Sequence, residues 1–156
     1  MARDLNGHPV ATGGLQRLFG RLRGGSGAAS EPVPGDSDLV VVAECFDDTA
    51  AASTVLADSA WRESDQAVLR HLLEIPSDQI DAVADTAAQD GYEVVDAGDI
   101  DGPTAEPGPG MTRVALARTQ LVDALHCSQE RSRMAGLGAR HDGTVLGWQV
   151  LQRPVA

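Results

Sequence analysis

The sequence predicts an α+β fold in which two β-α-β units form one antiparallel sheet with the helices on one face. Two observations carry this prediction. Strand-like and helical patterns follow the order β-α-β-β-α-β between residues 66 and 152. The clearest helix, residues 77–91, carries its apolar side chains on one stripe, as a helix packed on a sheet does. An extra strand and helix within residues 39–60 precede this unit.

The preceding unit begins with a run of β-branched side chains. Residues 39–43, Leu-Val-Val-Val-Ala, predict a buried strand. Asp47 and Asp48 follow as candidate N-caps of a short helix. The next segment, residues 66–75, is compatible with a strand or with a helix that Pro76 ends. Its apolar side chains alternate along the chain, so we favour the strand.

The remaining elements follow from capping residues and glycine-rich turns. Ser77 is the expected N-cap of the helix that ends at Gly91, and Ile80 and Val83 are its expected core residues. Residues 97–110 hold four Gly and three Pro and predict a loop. The later elements are a strand over 92–95, a strand over 112–118, a helix that Thr119 caps and that ends near Gly136 and Gly138, an Asp142-Gly143 turn and a strand over 144–152. This is the ferredoxin-like order.

Residues 1–37 predict a flexible Gly/Pro-rich basic tail, and residues 38–153 a single α+β domain. We expect residues 1–36 to be dispensable for folding. Within the tail, Leu15, Leu18 and Leu22 recur at helical spacing among arginines. Such a basic amphipathic turn contacts a membrane surface or an acidic partner. A disordered tail without a contact is the alternative, since about nine residues are too few for an isolated helix.

Charge limits the classes of partner. The chain has a net charge of −11, and residues 31–110 alone hold two Arg and nineteen acidic residues, a net charge of −17. This region would repel nucleic acid, so we expect no direct nucleic-acid binding. Acidity that only maintains solubility and acidity that attracts a basic partner both remain open. The chain has no apolar run of transmembrane length and no disulfide framework, so we expect a cytoplasmic protein.

Catalytic and metal-binding patterns are not found. His126 and Cys127 are adjacent, so on a helix they point about 100° apart and do not converge. We therefore expect no enzyme activity, no metal and no cofactor. The loop acids Asp96, Asp99 and Asp101 lack the spacing of an EF-hand. We take them as candidate contacts for a protein partner.

Three short motifs occur in a recognisable order: Gly91-Tyr92-Glu93-Val94, Leu121-Val122-Asp123-Ala124, and Asp142-Gly143 leading to Gly147-Trp148. Over residues 66–152 the chain resembles the regulator of ribonuclease E activity B family. That family has similar motifs, although its Asp-Gly-Trp turn is split here by residues 144–146. The resemblance implies a ferredoxin-like fold, no catalysis, and an acidic protein that binds ribonuclease E and restrains RNA cleavage.

Two functional hypotheses follow. The first is a non-catalytic acidic regulator that binds a protein, with ribonuclease E as the partner that the resemblance implies. The alternative is a small-molecule-sensing module, because ferredoxin-like sheets often dimerise and bind ligands at their edges or interfaces. Co-purification of a basic protein favours the first hypothesis. A metabolite that raises the melting temperature favours the second.

Overall fold

The computed structural model describes residues 2–10, 31–97, 100, 102–103 and 105–155 of the 156-residue chain. This part forms five strands and three helices, and a short 3-10 turn over Ser77–Gln79 precedes the second helix. In chain order the elements are β1 (Val40–Cys45), α1 (Ala52–Ala57), β2 (Ala67–Pro76), α2 (Ile80–Gln89), β3 (Glu93–Val95), β4 (Met111–Gln120), α3 (Ala124–Arg140) and β5 (Thr144–Gln152).

All five strands lie in one antiparallel sheet, so the fold is of the α+β class. The strand order is β1-β5-β2-β4-β3. The central strand β2 pairs with β4 along its whole length, from Ala67 opposite Gln120 to Pro76 opposite Met111, and with β5 on its other side. Strands β1 and β3 are therefore the two edges.

The helices pack on one face of the sheet. Helices α1 and α3 cover a cluster that contains Leu69 and Trp148, and helices α2 and α3 cover a second cluster that contains Leu73. Because side chains alternate along a strand, Val68 lies on the opposite face, where it clusters with Leu151. We call this opposite surface the open face.

Most predicted elements are present, but the strand predicted to be buried over residues 39–43 is the edge strand β1, in which Val40 and Val41 are exposed because only one side of the strand is paired. The ambiguous segment is strand β2, as favoured above. The helix with the apolar stripe is α2, in which Val83 is buried and Ile80 is partly buried. Gly91 follows this helix with φ +82°, the conformation expected at the C′ position. Helix α3 continues through Gly136 and Gly138, so its predicted end there is wrong.

The predicted caps of the first two helices are wrong. Helix α1 begins without a side-chain cap, and neither Asp47 nor Asp48 is its N-cap. The Asp47 carboxylate instead accepts hydrogen bonds from the backbone and hydroxyl of Thr49. Helix α2 is entered through the 3-10 turn, and the Ser77 hydroxyl donates to the carbonyl of Gly110. Asp47 and Ser77 therefore form hydrogen bonds with other groups and do not cap the helices that follow them.

The predicted cap of α3 is also wrong. Thr119 still belongs to β4, and its hydroxyl donates to the carbonyl of Pro32 at 2.7 Å. The N-cap is Asp123, whose carboxylate accepts the backbone N–H of His126 at 2.7 Å. The strand continues through Thr119 because the pairing with β2 extends to the last residue of β4.

Part of the predicted tail lies against the domain. In residues 2–10, the carbonyl of Asp4 accepts the N–H of Leu121 at 3.2 Å. The side chain of Gln66 bonds both the N–H and the carbonyl of Arg3, at 2.9 and 2.8 Å. We call residues 2–10 the N-terminal strap. These contacts attach the strap to the ends of β2 and β4.

A second part of the predicted tail leads directly into β1. Arg153 donates to the carboxylates of Asp36 and Asp38 and thereby holds this segment against the end of β5. Residues 1 and 11–30, which include the predicted amphipathic turn, lie outside the described residues. That residues 1–36 are dispensable for folding stays a prediction.

Candidate partner-binding surface

The sequence predicts partner contacts at Asp96, Asp99 and Asp101. Asp96 directly follows β3 and is exposed. Asp99 and Asp101 lie outside the described residues. Asp96 lines a groove on the open face of the sheet. Asp96, the one predicted contact that lies within the described residues, thus borders a recess that can hold part of a ligand.

The groove has a volume of about 420 Å³ and crosses the open face from β1 to β3. Each strand contributes one apolar side chain to it: Val41, Leu151, Val68, Ala117 and Val95, in the order of the strands. Val41 and Val68 are both register partners of Leu151, on either side of it. The floor of the groove is therefore a continuous apolar path across the sheet.

Irregular segments cover the sheet on both sides of this path. On one side, the hydrogen bond from Thr119 to the carbonyl of Pro32 holds the segment before β1 against β4. On the other side, Arg113 donates to the carbonyl of Pro103 at 2.8 Å and anchors the loop between β3 and β4. Of the five floor side chains, Val68, Ala117 and Leu151 are buried, Val95 is half-buried and Val41 is exposed, so the groove is a narrow recess between these segments.

A chain of polar side chains borders the apolar floor. Arg70 donates from Nε and Nη2 to Gln149 Oε1, at 2.8 and 2.5 Å. Gln149 Nε2 in turn donates to Glu44 Oε2 at 2.9 Å. Because Gln149 uses its oxygen towards Arg70 and its nitrogen towards Glu44, its amide orientation is fixed. The network holds the Arg70 guanidinium in place beside the groove.

Carboxylates lie on both faces of the domain. The exposed Asp96 and the half-buried Asp36, which is paired with Arg153, lie at the groove. On the helix face, Asp78, Asp81 and Asp85 are exposed, and none of the three forms an ion pair within the part of the chain that the structure describes. Asp81 and Asp85 are four residues apart on α2 and repel each other.

A buried arginine on the helix face was not predicted. Arg118 is 2% exposed, and its guanidinium lies 4.4 Å from the centre of the Tyr92 ring. Its Nη2 donates to Glu130 Oε1 at 2.8 Å, and its Nε donates to Gln120 Oε1 at 2.9 Å. Since opposite charge and hydrogen bonds compensate its burial, this arginine has a structural role. It occupies an inward-facing position of β4, so the alternation of side chains along that strand could have predicted its burial.

The candidates for catalysis do not converge. Burial raises the pKa of the Cys127 thiol to about 12, so it is protonated at neutral pH. His126 Nδ1 lies 2.8 Å from the carboxylate of Asp123, its own N-cap partner. Burial lowers the pKa of His71 to about 3. Among the described residues, no group of three or more His, Cys, Asp or Glu side chains is arranged to hold a metal ion.

Neither the helices nor comparison with known proteins assigns a function to this chain. No helix within the described ranges has both the length and the apolar character needed to span a membrane. Comparison of the chain with protein-family models, with curated proteins and with solved structures finds no significant match. The resemblance noted above therefore depends on the three motifs, and the surface chemistry carries the functional argument.

Proposed function

We propose that this chain is a non-catalytic, acidic regulator that binds a protein partner through the groove on the open face. The observation that carries the proposal is the composition of the groove. All five strands supply an apolar side chain to its floor, and Asp36 and Asp96 lie beside that floor. Val41 and Val95, at the two ends of the floor, are exposed and half-buried, and covering such apolar surface stabilises a complex by about 25 cal/mol per Å². A partner segment with apolar side chains fits this floor.

Charge defines the rest of the partner. The region that contains most of the groove, residues 31–110, has a net charge of −17. Opposite charge increases the rate of association and selects against acidic partners. The Debye length is about 8 Å at physiological ionic strength, so attraction between exposed groups weakens as salt rises. The fitting partner segment therefore carries arginine or lysine on both sides of its apolar side chains.

The topology supports the family resemblance. The order β5-β2-β4-β3, with every neighbour antiparallel, is the arrangement of a ferredoxin-like β-α-β-β-α-β unit, with β1 added outside β5. The three motifs also have local roles in this topology. Gly91 ends a helix, Asp123 caps another, and Asp142 adopts φ 58° in the last turn. The family nominates ribonuclease E as the partner and restraint of RNA cleavage as the outcome.

The volume of the groove also supports the alternative function, the sensing of a small molecule. About 420 Å³ falls within the range of roughly 300–1,000 Å³ that small-molecule sites occupy. Under this alternative, the chain senses a compact ligand with an apolar body. A compact ligand would bind without strong dependence on salt unless it is itself cationic, which separates the two functions experimentally.

The test is a titration of the purified chain against ribonuclease E from the same organism, with RNA cleavage as the readout. The variant replaces Asp96, Asp99 and Asp101 with Asn. We expect about tenfold weaker inhibition in low salt and a smaller difference in high salt, because the change removes the charge of Asp96 at the groove and of the two acids that follow it in the sequence.

The matched control replaces Asp78, Asp81 and Asp85 with Asn. It removes the same charge from the helix face, so a specific groove contact predicts a smaller effect of this control. Equal effects of the two variants would show general electrostatic attraction without a role for the groove. No inhibition by the unaltered chain at micromolar concentration, together with a metabolite that raises its melting temperature, would favour the sensor.

A further inference from the structure

The two edges of the sheet are protected to different degrees. Edge strands expose unpaired backbone groups, and proteins commonly guard them by making them short or by placing Lys or Pro on them. Strand β3 has three residues, Glu93–Val95. Strand β1 has six residues, Val40–Cys45, and contains no Lys, Arg or Pro. Strand β1 is therefore the less protected edge: it is longer and lacks Lys and Pro, and only the charge of Glu44 and a bulge at Val42 guard it.

The outer side of β1 is accessible. Val40 and Val41 are 43% and 44% exposed, whereas most aliphatic side chains of the central strands are buried. Strand β1 pairs with β5 alone, and no other described segment forms a backbone hydrogen bond to residues 40–45. A bulge at Val42 interrupts the register with β5, but the strand continues through it. Within the described ranges, the outer row of amides and carbonyls thus has no strand partner and can pair with another extended segment.

Acidic side chains surround this edge. Glu44 is exposed within the strand, and Asp47 and Asp48 are exposed just after it. Hydrogen bonds from the Thr49 hydroxyl and backbone lower the pKa of Asp47, so this carboxylate stays charged at neutral pH. A second copy of the chain would bring its own acidic residues against these, whereas a basic segment would be attracted to them.

We propose that β1 binds an extended, basic segment of a partner protein by strand addition, so that the partner becomes the sixth strand of the sheet. The inference rests on the proposed function and specifies how the partner docks. Backbone hydrogen bonds to β1 supply affinity, and arginine or lysine on either side of the segment meets Glu44, Asp47 and Asp48. Val41 also lines the groove, so the edge and the groove form one surface.

The probe is the peptide Arg-Arg-Thr-Val-Thr-Val-Thr-Arg-Arg, titrated against the full chain in low salt. One control peptide has Pro-Pro at its centre, which removes hydrogen-bond donors on both of its edges. A second control has Glu in place of every Arg. We expect each control to bind at least about tenfold more weakly, which is about 1.4 kcal/mol. Amide hydrogen exchange should slow in residues 40–45 when the first peptide binds.

The matched protein variants are Val40→Lys and Val94→Lys. Val40 and Val94 are similarly exposed, at 43% and 49%, but they lie on opposite edges of the sheet. Val40→Lys should weaken the first peptide about tenfold, because a lysine on the edge guards it and repels the arginines. Val94→Lys should leave binding within about twofold, a difference of about 0.4 kcal/mol.

Three results would overturn strand addition at β1: equal binding of the Pro-Pro peptide, unchanged hydrogen exchange in residues 40–45, or a dimer at micromolar concentration whose β1 amides are already protected. The last result would identify a second copy as the occupant. These outcomes are separate from those of the proposed function. If the ribonuclease is inhibited while β1 exchange is unchanged, the regulator stands and the strand addition fails.

Discussion

His71 is the most strongly perturbed histidine among the described residues. Its side chain is fully buried, and its ring lies 5.8 Å from the Tyr92 ring in an edge-on arrangement. Neither ring nitrogen has a hydrogen-bond partner in the part of the chain that the structure describes. Burial, with a smaller contribution from the positive charge of Arg118, lowers the pKa from 6.5 to about 3. The folded state therefore holds this imidazole neutral.

This burial predicts a loss of stability in mild acid. The unfolded chain binds a proton at His71 below pH 6.5, whereas the folded chain does so near pH 3. Stability from this site is complete above pH 6.5 and falls as the pH drops towards 3. At pH 4.5 we expect a loss of about 2–3 kcal/mol in the free energy of unfolding. Urea unfolding followed by Trp fluorescence at several pH values measures it.

His71→Phe isolates the contribution of this group. Phenylalanine keeps a ring against Tyr92 and cannot be protonated, so the variant should lose less stability between pH 6.5 and 4.5. Exposed His8, whose side chain is 75% accessible, supplies the control. His8→Gln should follow the unaltered chain. An identical pH dependence for His71→Phe would show that other groups dominate the acid response.

At the scale of single residues, sequence predicts burial better than it predicts polar partners. Val83 is a core residue as expected, because a helical stripe follows from spacing alone. The capping role of Asp123 was missed because Thr119 precedes the same helix with an equally suitable side chain. The choice depends on where β4 ends. That end is set by pairing with β2, in which Val68, 51 residues earlier, lies opposite Thr119.

At the scale of an element, two glycines inside α3 have different surroundings, so we expect different effects when each is replaced by alanine. A Cβ at Gly136 would meet nothing within 4 Å. Gly136→Ala should therefore stabilise the protein by about 0.5–1 kcal/mol, since alanine loses less backbone entropy on folding. A Cβ at Gly138 would lie 3.4 Å from the carbonyl oxygen of Gly143. Gly138→Ala should gain less or lose stability.

Urea unfolding of the two variants measures this difference. A helix that truly ended near Gly136 would give no gain from Gly136→Ala, because the residue would not be helical. Equal gains at both positions would show that the turn at Gly143 yields without cost. Gly138 also accepts the backbone N–H of Gly143 at 2.8 Å, so the helix and the turn are joined at this point.

Strands were predicted more accurately than helix ends. The alternation in residues 66–75 correctly predicted β2, and the last predicted strand matches β5. Because the alternation of apolar and polar side chains extends over many residues, one ambiguous position does not obscure it. A helix end depends on one or two side chains, and three of the four expected caps, Asp47, Ser77 and Thr119, have another partner in the folded chain. For Ser77 and Thr119 that partner is distant in the sequence, beyond the reach of a local pattern.

At the scale of the whole molecule, the element order predicted one antiparallel sheet with its helices together on one face. The groove was not predictable in this way. Its floor requires the strand order, and its sides depend on the irregular segments before β1 and between β3 and β4. The contact of Thr119 with Pro32 joins residues 87 apart, beyond the reach of any local pattern.

The N-terminal strap links the start of the chain to the buried arginine. Gly7 of the strap has φ +75°, and a Cβ there would lie 2.3 Å from Nε of Arg118. The close approach therefore requires glycine at this position. This contact and the hydrogen bonds of Asp4 and Gln66 indicate that the strap stabilises the fold. That expectation is the opposite of the dispensable tail predicted from the sequence.

We expect deletion of residues 1–10 to lower the free energy of unfolding by about 1–3 kcal/mol, the net contribution of a few intramolecular hydrogen bonds. Gly7→Ala in the full chain should have an effect of the same sign, because its Cβ displaces the strap from Arg118. Gly35→Ala is the matched control: Gly35 has φ +91° but no atom within 4 Å of a Cβ, so strain alone acts there. Urea unfolding with Trp148 in the core as the reporter compares all four chains. A truncated chain as stable as the full chain, with Gly7→Ala no worse than Gly35→Ala, would restore the dispensable tail.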